Sequence, residues 1–349
     1  MKRRAALERM TPYHAGERRP GAVKLSSNEN PRGCSPAAAR AAIAAMEEAH
    51  IYPDGAARDL KALLAEETGM KPEEIILGNG SDEVLTFIAA AYINPGDRTL
   101  VGEHTFSQYR FATNLMDGIV ETVPMPDLRM DPDRFLERIS ENVRALFLCS
   151  PNNPTGLAIS GNELEHLLRK VPRETLVVMD HAYIDYQDDP AACDARQYIR
   201  EYPNLVVLRT FSKIYGLAAL RIGFGLAVPE RIAEMERVRS PFNVSTIAQH
   251  AAMAALKDEP FVTSTLEDNR TGKARMIALF QELGLPHIPS QANFLTIAVP
   301  TDAREFAREI ANKGITVRPL NSFGLPQHIR ITIGTPDQIE LLEAAMRKR

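Results

Sequence analysis

The sequence contains no tryptophan and only three cysteines in 349 residues, and aromatic residues make up 6% of the chain. The cysteines, Cys34, Cys149 and Cys193, lie far apart and match no metal-ligand spacing. An odd, small number of cysteines argues against a disulfide framework and favours a reducing compartment. We therefore expect a cytoplasmic protein without a metal site.

The sequence also lacks a strong charge imbalance and a long apolar run. Its formal net charge is -4, with 25% charged residues, which gives nucleic acid or an anionic membrane no electrostatic attraction. The basic start, MKRRAALERM, is not followed by a continuous apolar stretch, and no run is long enough to span a bilayer. We therefore expect neither a nucleic-acid partner nor a membrane anchor.

The middle of the chain alternates short β-rich runs with helical patterns. Such alternation predicts an α/β fold with a mostly parallel central sheet and helices on both faces. The runs are IILG (75–78), RTLVGE (98–103), ETVPM (121–125), ALFLCS (145–150), TLVVMD (175–180), LVVLRTF (205–211) and RIGFGLAV (221–228).

The pattern changes after residue 228 to long helical segments, about residues 230–239 and 245–283. A smaller α/β unit follows, with β-rich runs at 293–299, 315–320 and 328–335, a helix at about 301–313 and a last helix opened by Thr335 and Pro336. A chain of this length favours two domains. The predicted parts are an N-terminal arm (1–27), a large domain (28–245) and a small C-terminal domain (246–349).

Chemically versatile residues follow several of the predicted strands. In parallel sheets, ligands bind beyond the carboxyl ends of the strands, which places PNNPTG (151–156), Asp180 and Lys213 in one crevice. A glycine-rich turn through Gly78 and Gly80 precedes a helix that begins near Ser81. Such a helix start binds anions through its free N–H groups, although serine and aspartate are also ordinary helix caps. No GK[ST] follows, so the turn is not a nucleotide P-loop.

Lys213 carries the most specific signal. It follows a buried strand between Phe211 and Tyr215, and desolvation there would lower the pKa of its amine and make it nucleophilic. The alternative is a surface lysine whose stem packs on the protein. Ser212 and Arg221, with the helix start at residues 80–82, would form a dianion cradle beside the amine. Asp180 would either cap a helix or hold a proton on a heteroaromatic ring nitrogen.

A lysine nucleophile, a ring-nitrogen carboxylate and a phosphate cradle together indicate pyridoxal 5′-phosphate. The chain resembles the fold-type I pyridoxal-phosphate aminotransferases of class I and II, and within them the histidinol-phosphate aminotransferases, from about Leu7 to the C-terminus. The matching motifs are TPYHAG (11–16), LSSNENP (25–31), YPDG (52–55), GNGSDE (78–83), SPNNPTG (150–156), TFSKIYGLAALR (210–221) and RITIGT (330–335). Their number and order carry the resemblance.

The resemblance implies roles for individual residues. Lys213 would bind the cofactor aldehyde and move a proton between substrate and cofactor, and Asp180 would pair with the ring nitrogen. Tyr183, the third implied catalytic residue, would hydrogen-bond the ring oxygen. The other implied cofactor contacts are Asn153 at the ring oxygen, Phe106 on the ring face, Gly80, Ser81, Asp82, Ser212 and Arg221 at the phosphate, and Tyr52 from a neighbouring subunit. The active unit would then be a homodimer.

The implied reaction converts L-histidinol phosphate and 2-oxoglutarate into imidazole acetol phosphate and L-glutamate, in histidine biosynthesis. Arg330 would bind a carboxylate or the substrate phosphate, with help from Tyr13, Asn153 and Arg318. The alternatives are an aromatic amino acid aminotransferase and a threonine-phosphate decarboxylase of the same fold. A ligand-sensing regulator would need a DNA-binding module, and fewer than thirty residues precede LSSNENP.

The chain departs from the family pattern at three positions. His181 stands where the family has glutamate, and we expect it to be structural because neighbours along an extended segment point to opposite sides. Ala219 replaces a glycine and is tolerated if its φ is negative. Arg32 replaces tyrosine near the expected substrate entrance, which weakens the assignment to histidinol phosphate.

Overall fold

The computed structural model describes residues 1–12 and 19–347. Tyr13 therefore lies outside the described residues. The strands are β1 (Val23–Lys24), β2 (Ile75–Gly78), β3 (Arg98–Gly102), β4 (Ile119–Val123), β5 (Val143–Cys149), β6 (Leu176–Asp180), β7 (Leu205–Thr210), β8 (Gly223–Leu226), β9 (Phe294–Ala298), β10 (Ile315–Thr316), β11 (Arg318–Pro319) and β12 (His328–Thr332).

The helices alternate with these strands. The α-helices are α1 (Pro36–Ala45), α2 (Arg58–Thr68), α3 (Ser81–Tyr92), α4 (Gln108–Leu115), α5 (Pro132–Leu136), α6 (Gly161–Lys170), α7 (Pro229–Glu236), α8 (Thr246–Leu256), α9 (Glu259–Glu282), α10 (Ala303–Asn312) and α11 (Pro336–Arg347). Short 3₁₀ helices cover Ala5–Arg9, Met46–Glu48, Pro72–Glu74, Pro126–Leu128, Ile184–Tyr186, Ala195–Tyr198, Ala218–Leu220 and Asn321–Phe323. Among residues 1–12 and 19–347, no helix has the length and apolar character needed to cross a membrane.

Within the described residues, seven strands form the central sheet in the order β2-β8-β7-β6-β5-β3-β4. The neighbours β7-β6-β5-β3-β4 pair in parallel, and β8 runs antiparallel to both β7 and β2. All five residues of β6 are buried, as expected for a sheet covered by helices on both faces. This arrangement confirms the predicted mostly parallel α/β fold. Because β5, β6 and β7 are adjacent, the segments after their carboxyl ends meet at one edge.

Several predicted element boundaries were wrong. The strand predicted at 121–125 is β4 at Ile119–Val123, and the run 221–228 contributes only Gly223–Leu226. The helical segment predicted at 245–283 is two helices, α8 and α9. Asp258 separates them because its side chain caps α9, accepting the Phe261 N–H at 3.2 Å, and Pro260 lies in the first turn. Thr335 Oγ1 accepts the Gln338 N–H at 3.4 Å, as expected for the start of α11.

A second apolar core lies against the sheet β11-β12-β9 and the parallel pair β1-β10. Its buried members include Leu25, Met276, Phe280, Ile297, Phe306 and Ile331. Four buried alanines of α8, at positions 248, 251, 252 and 255, belong instead to the core of the central sheet. The division at residue 245 stays a prediction, and we propose that a boundary near Asp258 describes the two cores better.

Candidate active site

A cavity of about 250 Å³ opens at the carboxyl ends of β5, β6 and β7. Residues from the parts of the chain that surround both apolar cores line the cavity, since β11 and β12 contribute as well as the central sheet. The predicted site residues in its wall are Ser81, Asp82, Phe106, Asn153, Asp180, Tyr183, Ser212, Lys213, Arg221, Arg318 and Arg330. The fold therefore brings together side chains that are up to 249 positions apart in the sequence.

The amine of Lys213 lies inside this cavity. Its Nζ donates to the Ser27 carbonyl at 3.3 Å and lies 5.5 Å from the centre of the Tyr183 ring. Burial lowers the pKa of Lys213 to about 8, and the positive charge of Arg330 contributes to the lowering. About half of this amine is therefore neutral, and nucleophilic, at about pH 8, where an ordinary lysine is almost fully charged.

The carboxylate of Asp180 ends β6 at the floor of the cavity. Its Oδ2 accepts the Tyr109 hydroxyl at 2.7 Å, and its Oδ1 accepts the Ala182 N–H at 3.0 Å. Burial raises the pKa of Asp180 to about 6, while these two hydrogen bonds lower it. The carboxylate is thus oriented by two donors, and a cation bound next to it would stabilise its charged form.

The start of α3 forms one end of the cavity. Gly80 precedes the helix with φ 78°, and a methyl group at this position would collide with the Arg221 guanidinium. At Gly223 a Cβ would lie 2.5 Å from the Ser81 nitrogen, so only glycine lets β8 approach the helix start. Arg221 Nη2 lies 3.3 Å from Asp82 Oδ2. The helix start, two hydroxyls (Ser81, Ser212) and a guanidinium form an anion-binding cradle.

Two arginines occupy opposite positions on β11 and β12. Arg318 pairs in register with Arg330, and both line the cavity. The buried Arg330 donates to Asn153 Oδ1 and, through Nη2, to the Ser26 carbonyl at 3.0 Å. Two guanidinium groups on one wall of the cavity suit an anion, because each presents several N–H donors and a positive charge.

Comparison with known proteins identifies the family. Residues 20–346 match the model of the family described as aminotransferase class I and II. The chain is 43% identical to the histidinol-phosphate aminotransferase of Symbiobacterium thermophilum, over 98% of each chain. The chain belongs to the class I and II aminotransferases, and within them to the histidinol-phosphate aminotransferases. The predicted family is thereby confirmed.

Solved structures agree with this assignment. The histidinol-phosphate aminotransferase of Sinorhizobium meliloti, solved in complex with pyridoxal-5'-phosphate, matches this aminotransferase with a TM-score of 0.92 and 28% identity, over 100% of this chain and 97% of that one. A Thermus thermophilus aspartate aminotransferase variant shares the fold, with a TM-score of 0.85 at 23% identity over 99% of both chains. The cofactor of this aminotransferase is pyridoxal 5′-phosphate, as predicted.

The residues present fit this cofactor. The α3 cradle suits a phosphate, Asp180 suits a protonated ring nitrogen, and Lys213 presents a desolvated amine between the two. Phe106 adds an aromatic face to the same wall.

Other predicted residues are placed as follows. The Tyr183 hydroxyl is buried and accepts from Asn28 Nδ2 at 3.0 Å, and burial raises its pKa. Tyr52 does not line the cavity, and 80% of its surface is exposed. Tyr52 would therefore need a second subunit to act at such a site.

The three departures from the family pattern have structural explanations. The neutral, buried His181 donates from Nδ1 to the Ser150 carbonyl at 2.6 Å and accepts the Ala195 N–H at Nε2, so it is structural. Ala219 lies in a 3₁₀ helix, where a methyl group is harmless. Arg32 forms an ion pair with Asp268 of α9 and does not line the cavity. That Arg32 lies near the substrate entrance stays a prediction.

Sequence reasoning missed two residues that hold the site. Tyr109 lies in the first turn of α4, and its spacing of three from Phe106 was the available signal. Asn28 adopts φ 57° and is fully buried; its N–H donates to Thr332 Oγ1 at 2.9 Å, and its carbonyl accepts from Asn293 Nδ2 at 3.0 Å. Each of these contacts joins residues more than 260 positions apart, so no local sequence pattern reveals it.

Proposed function

We propose that this aminotransferase transfers the amino group of L-histidinol phosphate to 2-oxoglutarate, yielding imidazole acetol phosphate and L-glutamate. The observation that supports this substrate is the cross-strand pair Arg318 and Arg330. The pair gives the cavity a second group of cationic side chains, in addition to the α3 cradle that suits the cofactor phosphate. Histidinol phosphate has a phosphate of its own, and 2-oxoglutarate has two carboxylates. The names of the relatives support the same substrate.

The side chains divide the chemistry between them. Pyridoxal phosphate, when bound, supplies an aldehyde that takes up the amino group and a ring that stabilises negative charge on the substrate. Lys213, whose pKa burial lowers to about 8, would hold the cofactor through its amine and would take up the proton removed from the substrate α-carbon. Asp180 would keep a proton on the ring nitrogen, and Tyr109 fixes its carboxylate.

The positions of other side chains support the remaining cofactor contacts. Asn153 and Tyr183 lie beside Arg330 and Lys213, where their polar groups would serve the ring oxygen. Phe106 would cover one ring face. The phosphate would be held by Gly80, Ser81, Asp82, Ser212 and Arg221. Arg330 would then bind the phosphate of the donor or a carboxylate of the acceptor, and Arg318 would add a contact to the donor's phosphate.

We also propose that the active unit is a cytoplasmic homodimer in which Tyr52 reaches the phosphate held by the neighbouring subunit. Exposed apolar side chains, Ile43, Met46, Ile51, Tyr52 and Phe242, support an interface, since such groupings mark contact surfaces. A second copy of the chain is the occupant that would bring Tyr52 to a cradle. The three cysteines are free thiols, which supports a reducing compartment.

Substitution of Arg318 tests the proposed substrate. Arg318→Gln is expected to lower kcat/KM for histidinol phosphate by roughly tenfold to a hundredfold, the usual value of a hydrogen bond to a charged group. The kcat/KM for phenylalanine, which has no phosphate, is expected to change by less than about threefold. Arg110→Gln is the matched control, because Arg110 is an exposed arginine that does not line the cavity. Equal losses for both donors would contradict the proposal.

A further inference from the structure

The ring of Phe242 lies against Tyr52. The two ring centroids are 4.8 Å apart with an interplanar angle of 21°, which is a stacked pair. Both side chains are exposed, 46% for Phe242 and 80% for Tyr52, so burial in the core does not fix either ring. Aromatic stacking is therefore one contact that restrains the Tyr52 side chain.

The backbone of Phe242 is in a strained conformation. Its φ is 55°, in the left-handed region, which bulky residues other than glycine rarely adopt. Such strain is unfavourable and persists where surrounding contacts require it. The ring of this strained residue is the one that stacks on Tyr52.

The turn that carries Tyr52 is shaped to receive this ring. A Cβ at Gly55 would lie 3.2 Å from Cδ1 of Phe242, closer than ordinary van der Waals contact. Gln249 fastens the two segments together, because its Nε2 donates to the carbonyls of Asp54 at 3.1 Å and Val244 at 3.0 Å. The Tyr52 turn and the Phe242 turn therefore form one unit.

That unit is anchored to the phosphate cradle of its own subunit. Asn243 Nδ2 donates to the Leu77 carbonyl at 3.1 Å and to Glu83 Oε2 at 2.6 Å. Glu83 in turn accepts the Asn79 N–H at 2.7 Å. These bonds fix the backbone beside Phe242 to the glycine-rich turn before α3.

We propose that Phe242 is a positioning residue, whose ring holds the Tyr52 hydroxyl in the orientation that reaches the neighbouring subunit's cofactor phosphate. This inference rests on the proposed homodimer with Tyr52 crossing the interface. Restricting the Tyr52 side chain before the contact forms lowers the entropic cost of that contact. The left-handed turn thus serves cofactor binding in the partner rather than the core of its own chain.

A double-mutant cycle tests the inference, with the dissociation constant for pyridoxal phosphate, measured by equilibrium dialysis of the apoprotein, as the readout. The four proteins are wild type, Phe242→Gly, Tyr52→Phe and the double variant, compared where sedimentation velocity shows each as a dimer. Glycine accepts φ 55° without strain, so Phe242→Gly removes the ring without disfavouring the turn. Phe242→Asn, which also tolerates this conformation, replaces it if the glycine variant does not fold.

We expect Phe242→Gly to weaken cofactor binding only when the Tyr52 hydroxyl is present. Phe242→Gly is expected to raise the dissociation constant by roughly threefold to tenfold in the Tyr52 background, as for loss of an aromatic pair, and by less than about twofold in the Tyr52→Phe background. Phe242→Tyr, which keeps the stacked ring, is expected to bind the cofactor like wild type. An equal loss of cofactor affinity in both backgrounds would overturn the inference about Phe242 but would not contradict the proposed Tyr52 contact. An unchanged constant for Tyr52→Phe itself would overturn the proposed contact, and the inference with it.

Discussion

Tyr109 donates a 2.7 Å hydrogen bond to Asp180, and both side chains are buried behind the floor of the cavity. The tyrosine thus favours the ionised form of a carboxylate whose burial favours the neutral form. Its own pKa lies well above the ordinary value because of burial and the neighbouring Asp180 charge, so it remains a donor at every pH of interest. The balance between these effects decides how well Asp180 holds a cation.

Removing this hydroxyl is expected to weaken the site at low pH. Tyr109→Phe should raise the pKa of Asp180, since one of the two hydrogen bonds to its charged form is lost. The pH below which the apoprotein loses affinity for pyridoxal phosphate should therefore move to higher values. Equilibrium dialysis between about pH 5 and 8 measures this shift, and Phe147→Leu, beneath the same ring, controls for packing. An unshifted profile with uniformly weaker binding would mean that Tyr109 acts only in packing.

The second prediction concerns covalent attachment of the cofactor. Lys213→Ala should leave a folded protein whose cofactor is no longer fixed to the polypeptide by borohydride reduction, because the amine that bonds to the aldehyde is gone. Intact-protein mass spectrometry after reduction gives the result. Lys273→Ala, which removes a lysine paired with Asp188 away from the cavity, should retain the adduct. A wild-type yield of adduct on Lys213→Ala would remove this lysine from the proposed role.

The third prediction is the pH dependence of Lys213 reactivity. The amine is reactive when neutral, and its pKa is lowered to about 8 by burial. Reaction of the apoprotein with an amine reagent at this residue should rise with pH through a midpoint of about 8 and then level off. An ordinary lysine would still be rising at about pH 10. Peptide mapping after timed labelling measures the profile, and a midpoint near that of exposed lysines would contradict the lowered pKa.

The fourth prediction concerns the shared site. In a dimer with one Tyr52→Phe subunit and one Lys213→Ala subunit, one site has its own Lys213 and receives Tyr52 from the partner. Such heterodimers, separated by different affinity tags, should recover about half of the wild-type activity, since one of two sites is intact. Each homodimeric variant serves as the control. No recovery in the heterodimer would show that Tyr52 serves its own subunit.

The sequence predicted much of the central fold because buried parallel strands are continuous apolar runs. Strand β6, for example, is apolar up to the aspartate at its carboxyl end. The same regularity predicted that Asp180, which ends β6, and Lys213, which follows β7, lie in one crevice, because β6 and β7 are neighbouring strands. The break at Asp258 was missed because α8 and α9 share a helical pattern on both sides of one capping residue.

The parts that the sequence did not reveal depend on register and on distant contacts. Arg318 and Arg330 lie opposite each other only because β11 and β12 pair in one particular register. Neither segment determines that register by its own sequence. The hydrogen bond from Tyr109 to Asp180 spans 71 positions. The stack of Phe242 on Tyr52 requires a positive φ at a phenylalanine, which side-chain preferences argue against.

The central claim is that the site takes the amino group from histidinol phosphate. The most direct measurement mixes purified holoenzyme with L-histidinol phosphate, L-phenylalanine or threonine phosphate, without an acceptor, and follows the absorbance change from the pyridoxal to the pyridoxamine form of the cofactor. We predict rapid conversion with histidinol phosphate alone, because only in that donor does a phosphate suited to Arg318 and Arg330 replace the carboxylate beside the transferable amine. Conversion mainly with phenylalanine would contradict the account and make the protein an aromatic amino acid aminotransferase.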